Sequence, residues 1–63
     1  MTKAEAKRLE QEYSFLHLVA SPSPLACIGW EILCLCKDGQ SRRAYNPSDL
    51  AMLYRSGLIE VKR

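Results

Sequence analysis

Asp38-Gly39 interrupts the middle of the chain between two apolar-containing runs, residues 30–36 and 41–45. Asp-Gly is among the strongest short hairpin signals, because the residues of a primed two-residue turn need positive φ. One reading is therefore a β-hairpin over residues 30–45. The competing reading is a helix, with Ser23 as N-cap, Pro24 at the first helical position and Gly39 closing the C-terminus. That helix would carry Gly29 in its interior at a cost of about 1 kcal/mol, so the hairpin is preferred. A two-residue turn with Lys37 opposite Gln40 sets Ile32 opposite Tyr45 and Leu33 opposite Ala44, and apolar groups meet across the ladder.

Helix signals flank this region. Thr2 and Glu5 form a capping box, in which each side chain satisfies the other residue's free backbone N–H. Leu9, Tyr13, Leu16 and Ala20 then recur at helical spacing, so the pattern predicts a helix over residues 2–20, ended by Ser21-Pro22-Ser23-Pro24. Asn46 and Pro47 open a second, short helix with Asp49 in its first turn, Leu50, Leu53 and Tyr54 on one face and Gly57 just past its end. Residues 58–62 alternate between apolar and charged and predict a terminal strand. A strand over 30–36 is apolar on both faces and belongs in the middle of a sheet, with the hairpin return strand on one side and residues 58–62 on the other. The expected fold is α+β: N-terminal helix, β-hairpin, short helix and C-terminal strand, a small antiparallel sheet packed on helices. The alternative is an all-α or winged-helix-like arrangement.

With 63 residues the chain is one small domain, 1–63. A domain of that size buries only about 60% of the surface its unfolded chain exposes, so its core is thin and a partner or self-association is expected. Net charge is +2. It is unevenly spread: residues 1–36 carry three basic and four acidic groups, residues 37–63 six and three, so an anionic partner would meet the C-terminal half. No apolar run approaches the roughly 18–20 residues that span a bilayer, and no basic-then-apolar leader opens the chain. Three cysteines, two of them one residue apart in an apolar run, read as reduced thiols in a cytoplasmic protein and not as a disulfide framework.

Chemistry-bearing residues are sparse. Cys27, Cys34, Cys36 and His17 are the one conceivable metal set, but a C-x-C in a strand points both sulfurs to one face beside Ile32, unlike the knuckles of structural zinc sites. His17 is expected near the end of the first helix, where the dipole favours its protonated form. Glu31, Asp38, Asp49 and Glu60 are scattered, with Asp38 and Asp49 explained as turn and cap residues, so no catalytic residues, metal or cofactor are expected and the protein is not read as an enzyme. Arg42, Arg43, Arg55, Lys62 and Arg63, with Tyr45 and Tyr54, form one basic cluster that could contact phosphate, although consecutive arginines on a strand point to opposite faces.

Two resemblances follow from these residues. The segment from Asp49 through Leu-Ala-Met-Leu-Tyr-Arg-Ser-Gly-Leu-Ile-Glu to Val61 resembles the junction of recognition helix and wing in winged-helix DNA-binding domains, which implies DNA binding. The order of capped helix, hairpin through Lys37-Asp38-Gly39 and helix beginning near Ser48-Asp49-Leu50 is similar to small phage head-to-tail joining proteins, which implies an assembly role without enzymatic activity; this chain differs by residues 21–29 and an added C-terminal strand. The leading expectation is a non-catalytic assembly factor or inhibitor acting through protein contacts, self-associating as a homodimer, with Phe15, Leu18, Trp30, Ile32, Leu33 and Leu35 as its interface. The alternative is a nucleic-acid-binding regulator using the basic C-terminal half.

Overall fold

The computed structural model describes residues 1–13, 17–24 and 29–61. Thr2 caps the first helix, α1 (Lys3–Glu12), its hydroxyl accepting the Glu5 N–H at 3.2 Å. The helix is ten residues long and stops well short of Ala20. Residues 17–22 instead form strand β1 (His17–Pro22), followed by β2 (Trp30–Leu35), β3 (Ser41–Ala44) and a second helix, α2 (Pro47–Arg55). This corrects the expected helix over 2–20. Leu18 and Ala20 face inward while His17 and Val19 face out, a period of two that coexists in the same residues with the helical spacing. Pairing with β2 decides between them, since the last turn of a marginal helix offers little against a full row of cross-strand partners.

The sheet is antiparallel in the order β1-β2-β3, so the fold is α+β with β2 central as expected. Its third strand precedes the hairpin, where the sequence reading had placed residues 58–62. With β1 beside β2 that side of the central strand is occupied, and residues 58–61 form no strand. They are held otherwise. Gly57, at φ +75°, lets the chain turn back in a Schellman ending to α2: Leu58 N–H reaches Leu53 C=O and Gly57 N–H reaches Tyr54 C=O, both at 3.0 Å. Leu58 C=O then accepts the Lys37 N–H at 2.8 Å, and Ile59 becomes one of the most deeply buried side chains.

The hairpin is real but its register is one residue off. Cys36 N–H donates to Gln40 C=O and Gly39 N–H to Cys36 C=O, which closes a three-residue loop of Lys37, Asp38 and Gly39 with Gly39 at φ +83°. Ile32 consequently faces Ala44 instead of Tyr45, and Leu33 faces Arg43 instead of Ala44. The loop prefers this form because a type I turn followed by one left-handed residue needs positive φ only at the glycine, whereas the two-residue turn would force it on Asp38 as well. Strands at 30–35 and 41–44 rule out the all-α alternative. Among the described residues they also leave no helix between α1 and α2 and no strand after α2, so the winged-helix arrangement is absent there.

α1 and α2 lie on one face of the sheet. Ala6 and Leu9, Leu18 and Ala20, Ile32 with Cys34 and Cys36, Ala44, Leu50 and Ile59 make the core. Tyr13 at the end of α1 meets Tyr54 of α2 edge-to-face at 6.3 Å. The radius of gyration is 10.6 Å, close to the roughly 11 Å of a compact chain this long. The accessible surface of 4138 Å² likewise matches the roughly 4,100 Å² expected for this mass. The exposed apolar side chains of the strands, Val19, Leu33 and Leu35, therefore do not come from looseness; they come from a sheet with helices on one side only.

Candidate interaction surface

Antiparallel pairing arranges the outward residues of the sheet in rows. His17, Leu35 and Ser41 form one row; Val19, Leu33 and Arg43 the next; Ser21 and Glu31 the third. Val19, Leu33 and Leu35 adjoin each other across β1 and β2 and are 45%, 42% and 47% exposed. They form an apolar patch with Leu33 at its centre, bordered by the small or polar His17, Ser21 and Ser41. No described helix packs on this side.

Glu31 sits on the same face and is nonetheless buried. One carboxylate oxygen, Oε2, accepts from Arg43 Nε at 3.1 Å, while Oε1 has no hydrogen-bond partner among the described residues. The Arg43 side chain is 53% exposed, so its guanidinium bridges a buried carboxylate to solvent. The pair makes the outer face electrically neutral overall. Glu31 and Val19 were missing from the sequence-based interface. Val19 was hidden inside the expected helix, and the pairing of Glu31 with Arg43 depends on the one-residue change of register.

The residues expected to form the interface divide. Leu33 and Leu35 lie on the open patch. Leu18 and Ile32 are core, 8% and 0% exposed, a correction that follows from the alternation of β1 and β2. Trp30 is half-buried, with Lys3 Nζ 5.6 Å and Lys7 Nζ 5.9 Å from its ring centroid, so α1 covers it with two cations. Phe15 lies outside the described residues.

The basic cluster divides as well. Arg42 grips Asp38 through two bonds, Nη1–Oδ1 at 2.9 Å and Nη2–Oδ2 at 2.8 Å, and Gln40 N–H adds a third contact to Oδ1 at 3.0 Å. The Arg42 bonds and that amide hold the Asp38 carboxyl down at about 2. Arg43 serves Glu31 on the other face. Arg55 stands in the last turn of α2 and lines an open cavity of about 650 Å³ with Lys37, Tyr54 and Ile59. Lys37 is paired with Glu60 across that cavity. Lys62 and Arg63 lie outside the described residues.

A second groove, of about 330 Å³, runs between β3 and α2, lined by Arg42, Arg43, Tyr45, Asp49, Met52 and Leu53. Among the described residues Met52 is the most exposed large apolar side chain, at 63%.

Cys34 and Cys36 are free and buried on the inner face, and burial, aided by the neighbouring Cys36, pushes the Cys34 thiol up to about 11. Such a thiol is protonated and unreactive at neutral pH. Cys27 lies outside the described residues. His17 opens β1 and is exposed, so the expected helix-end environment does not exist. Among the described residues no three His, Cys, Asp or Glu side chains come together as a metal site, and no helix is long and apolar enough to cross a membrane.

Compared with known proteins, the chain matches no family model, and no curated protein or solved structure is significantly similar to it.

Proposed function

We propose that this is a small non-catalytic binding protein that works through protein contacts, of the assembly-factor or inhibitor type, and that its outer sheet face joins it to a second copy of itself. The observation that carries this reading is the apolar patch of Val19, Leu33 and Leu35 on a side of the sheet that α1 and α2 do not cover. Two features favour a second copy as occupant. Arg43 is neutralised by Glu31 within the face, so two such faces approach without repulsion. Stacked sheets also pack face to face at about 10 Å, with Leu33 at the centre where a two-fold axis would set it against its mate.

The size of the face sets the strength. Three strands about 4.8 Å apart, with three rows of outward residues about 6.7 Å apart, give a footprint of at most roughly 14 by 20 Å. Two copies would bury less than about 1,200 Å², the range of weak and transient interfaces. Dissociation constants on the order of 100 µM are therefore expected. Sedimentation equilibrium from about 10 µM to about 1 mM is the test. The mass should rise from the 7.2 kDa monomer toward twice that value, and Leu33→Glu should stay monomeric. A monomer across the whole range would end the self-association reading; association unaffected by Leu33→Glu would end the assignment of this face.

The free, buried thiols of Cys34 and Cys36 support a reducing, cytoplasmic setting. The alternative, a nucleic-acid-binding regulator, has less support, because Asp38 and Glu31 engage Arg42 and Arg43 and the two arginines serve different faces. Titration with random duplex DNA at about 50 mM salt tests it, and binding there that weakens with salt would revive it.

A further inference from the structure

The outward residues of the sheet form a grid with Leu33 at its centre. Val19 is its neighbour across to β1 and Arg43 its neighbour across to β3, while Leu35 and Glu31 flank it along β2. The apolar patch is therefore an L with its corner at Leu33, and the Glu31–Arg43 pair fills the two opposite arms. Neighbours lie about 4.8 Å away across the strands and about 6.7 Å away along them.

A two-fold axis that sets two copies of this face against each other must lie in the plane between the sheets. Packed sheets are either aligned or crossed at near right angles, which leaves four directions through Leu33 to compare. An axis along β2 sets Val19 over the partner's Arg43 and Glu31 over the partner's Glu31. An axis across the strands sets Leu35 over the partner's Glu31 and Arg43 over the partner's Arg43. One diagonal sets Val19 over the partner's Glu31 and Leu35 over the partner's Arg43. All three oppose apolar to charged side chains. The other diagonal, which bisects the arms to Val19 and Leu35, maps the patch onto itself. Leu33 then meets Leu33, Val19 meets the partner's Leu35, and Arg43 meets the partner's Glu31, each within about 2 Å of register.

We infer that two copies associate through this face with their sheets crossed, and that the partner's Arg43 completes the site of Glu31. The inference rests on the self-association proposed above and fixes its geometry. Glu31 is buried, and among the described residues its Oε1 has no hydrogen-bond partner. A buried acceptor without a donor is costly. The end torsion of a glutamate is soft, so Oε1 can turn toward a guanidinium arriving from the facing sheet. No net charge on the face is required. Each copy brings one neutral Glu31–Arg43 pair, and crossing lays the two pairs head to tail with opposite charges adjacent.

The test uses two variants at half-exposed positions, Val19→Glu and Leu35→Lys. In a crossed homodimer of either, a charge faces an apolar residue twice. In the mixed dimer the introduced glutamate faces the introduced lysine at one contact, and Val19 faces Leu35 at the other. Sedimentation equilibrium up to about 1 mM should show the one-to-one mixture associating at least about tenfold more tightly than either variant alone. The reversed pair, Val19→Lys with Leu35→Glu, should complement in the same way. Glu31→Gln, which keeps the shape and removes the charge, should weaken self-association at least about fivefold, because two pairs are lost per dimer. If the unsubstituted chain associates and Leu33→Glu abolishes it, but neither mixture complements, the crossed arrangement fails while the self-association reading stands. Tighter homodimers of Val19→Glu would place the axis along the strands, and tighter homodimers of Leu35→Lys would place it across them; either overturns the inference. Unchanged association in Glu31→Gln would overturn the role of the partner's Arg43. An unsubstituted chain that stays monomeric would end both the inference and the reading beneath it.

Discussion

Removing the Arg43 side chain should cost more stability than its exposed position suggests. In Arg43→Ala the Glu31 carboxylate, 3% exposed, loses the partner of Oε2 and, among the described residues, already has none for Oε1. Truncating one member of a fully buried pair costs about 3–5 kcal/mol, and an exposed pair is worth about 0–1 kcal/mol. With one partner buried and the other half-exposed, the cost should be about 2 kcal/mol. A domain of this length has roughly 3–9 kcal/mol in all, so the loss is a large share. Glu31→Met, which replaces the carboxylate with an apolar chain of similar shape, should be neutral or stabilising, because it removes the desolvated charge altogether. Arg43→Ala in that background should cost less than about 0.5 kcal/mol, leaving a coupling of about 1.5 kcal/mol between the two positions. Urea unfolding followed by Trp30 fluorescence, at a concentration where the chain is monomeric, measures all four species. If Arg43→Ala costs the same with Glu31 as with Met at position 31, the buried carboxylate is not what the arginine supports and the reasoning fails.

Three further outcomes follow from the fold. Gly39→Val should destabilise by about 1–2 kcal/mol and Gly39→Asn by less, since nothing crowds a Cβ at Gly39 and the cost is the positive φ alone; equal costs in denaturant unfolding would contradict the left-handed loop. Ile59→Ala should cost about 2–4 kcal/mol although residues 58–61 are in no strand, because the side chain is 1% exposed; a cost under about 1 kcal/mol in the same assay would remove the tail from the core. Stability should fall as pH rises from about 9 to about 11, because the unfolded chain ionises Cys34 first while the fold holds the thiol protonated to about 11. The loss amounts to about 2–3 kcal/mol at most, and a Cys34→Ala variant whose stability falls just as steeply over that range would refute the assignment.

Much of the architecture was legible because local chemistry and tertiary demand agree there. The Thr2 cap, the Asn46-Pro47 start of α2, the Gly57 ending and the presence of a hairpin about Gly39 are each dictated by which backbone groups lack a partner or which φ must be positive, and neighbouring residues alone determine that. The choice of a central strand at 30–35 was likewise visible, since a run apolar on both alternating faces has nowhere else to go. Residues 17–22 and 58–61 were decided elsewhere. His17-Leu18-Val19-Ala20 satisfies both a helical and a strand period, and only the need of β2 for a second neighbour selects the strand. Once β1 fills that place the alternating tail has no edge to join, and it contributes Ile59 to the core instead. The hairpin register shows the same division on a smaller scale: a turn at Asp38-Gly39 is a property of those residues, but a loop of three residues in place of two sets Arg43 opposite Leu33. From that shift come the Glu31–Arg43 pair and the neutral outer face, a long-range arrangement that no local pattern in the chain could encode.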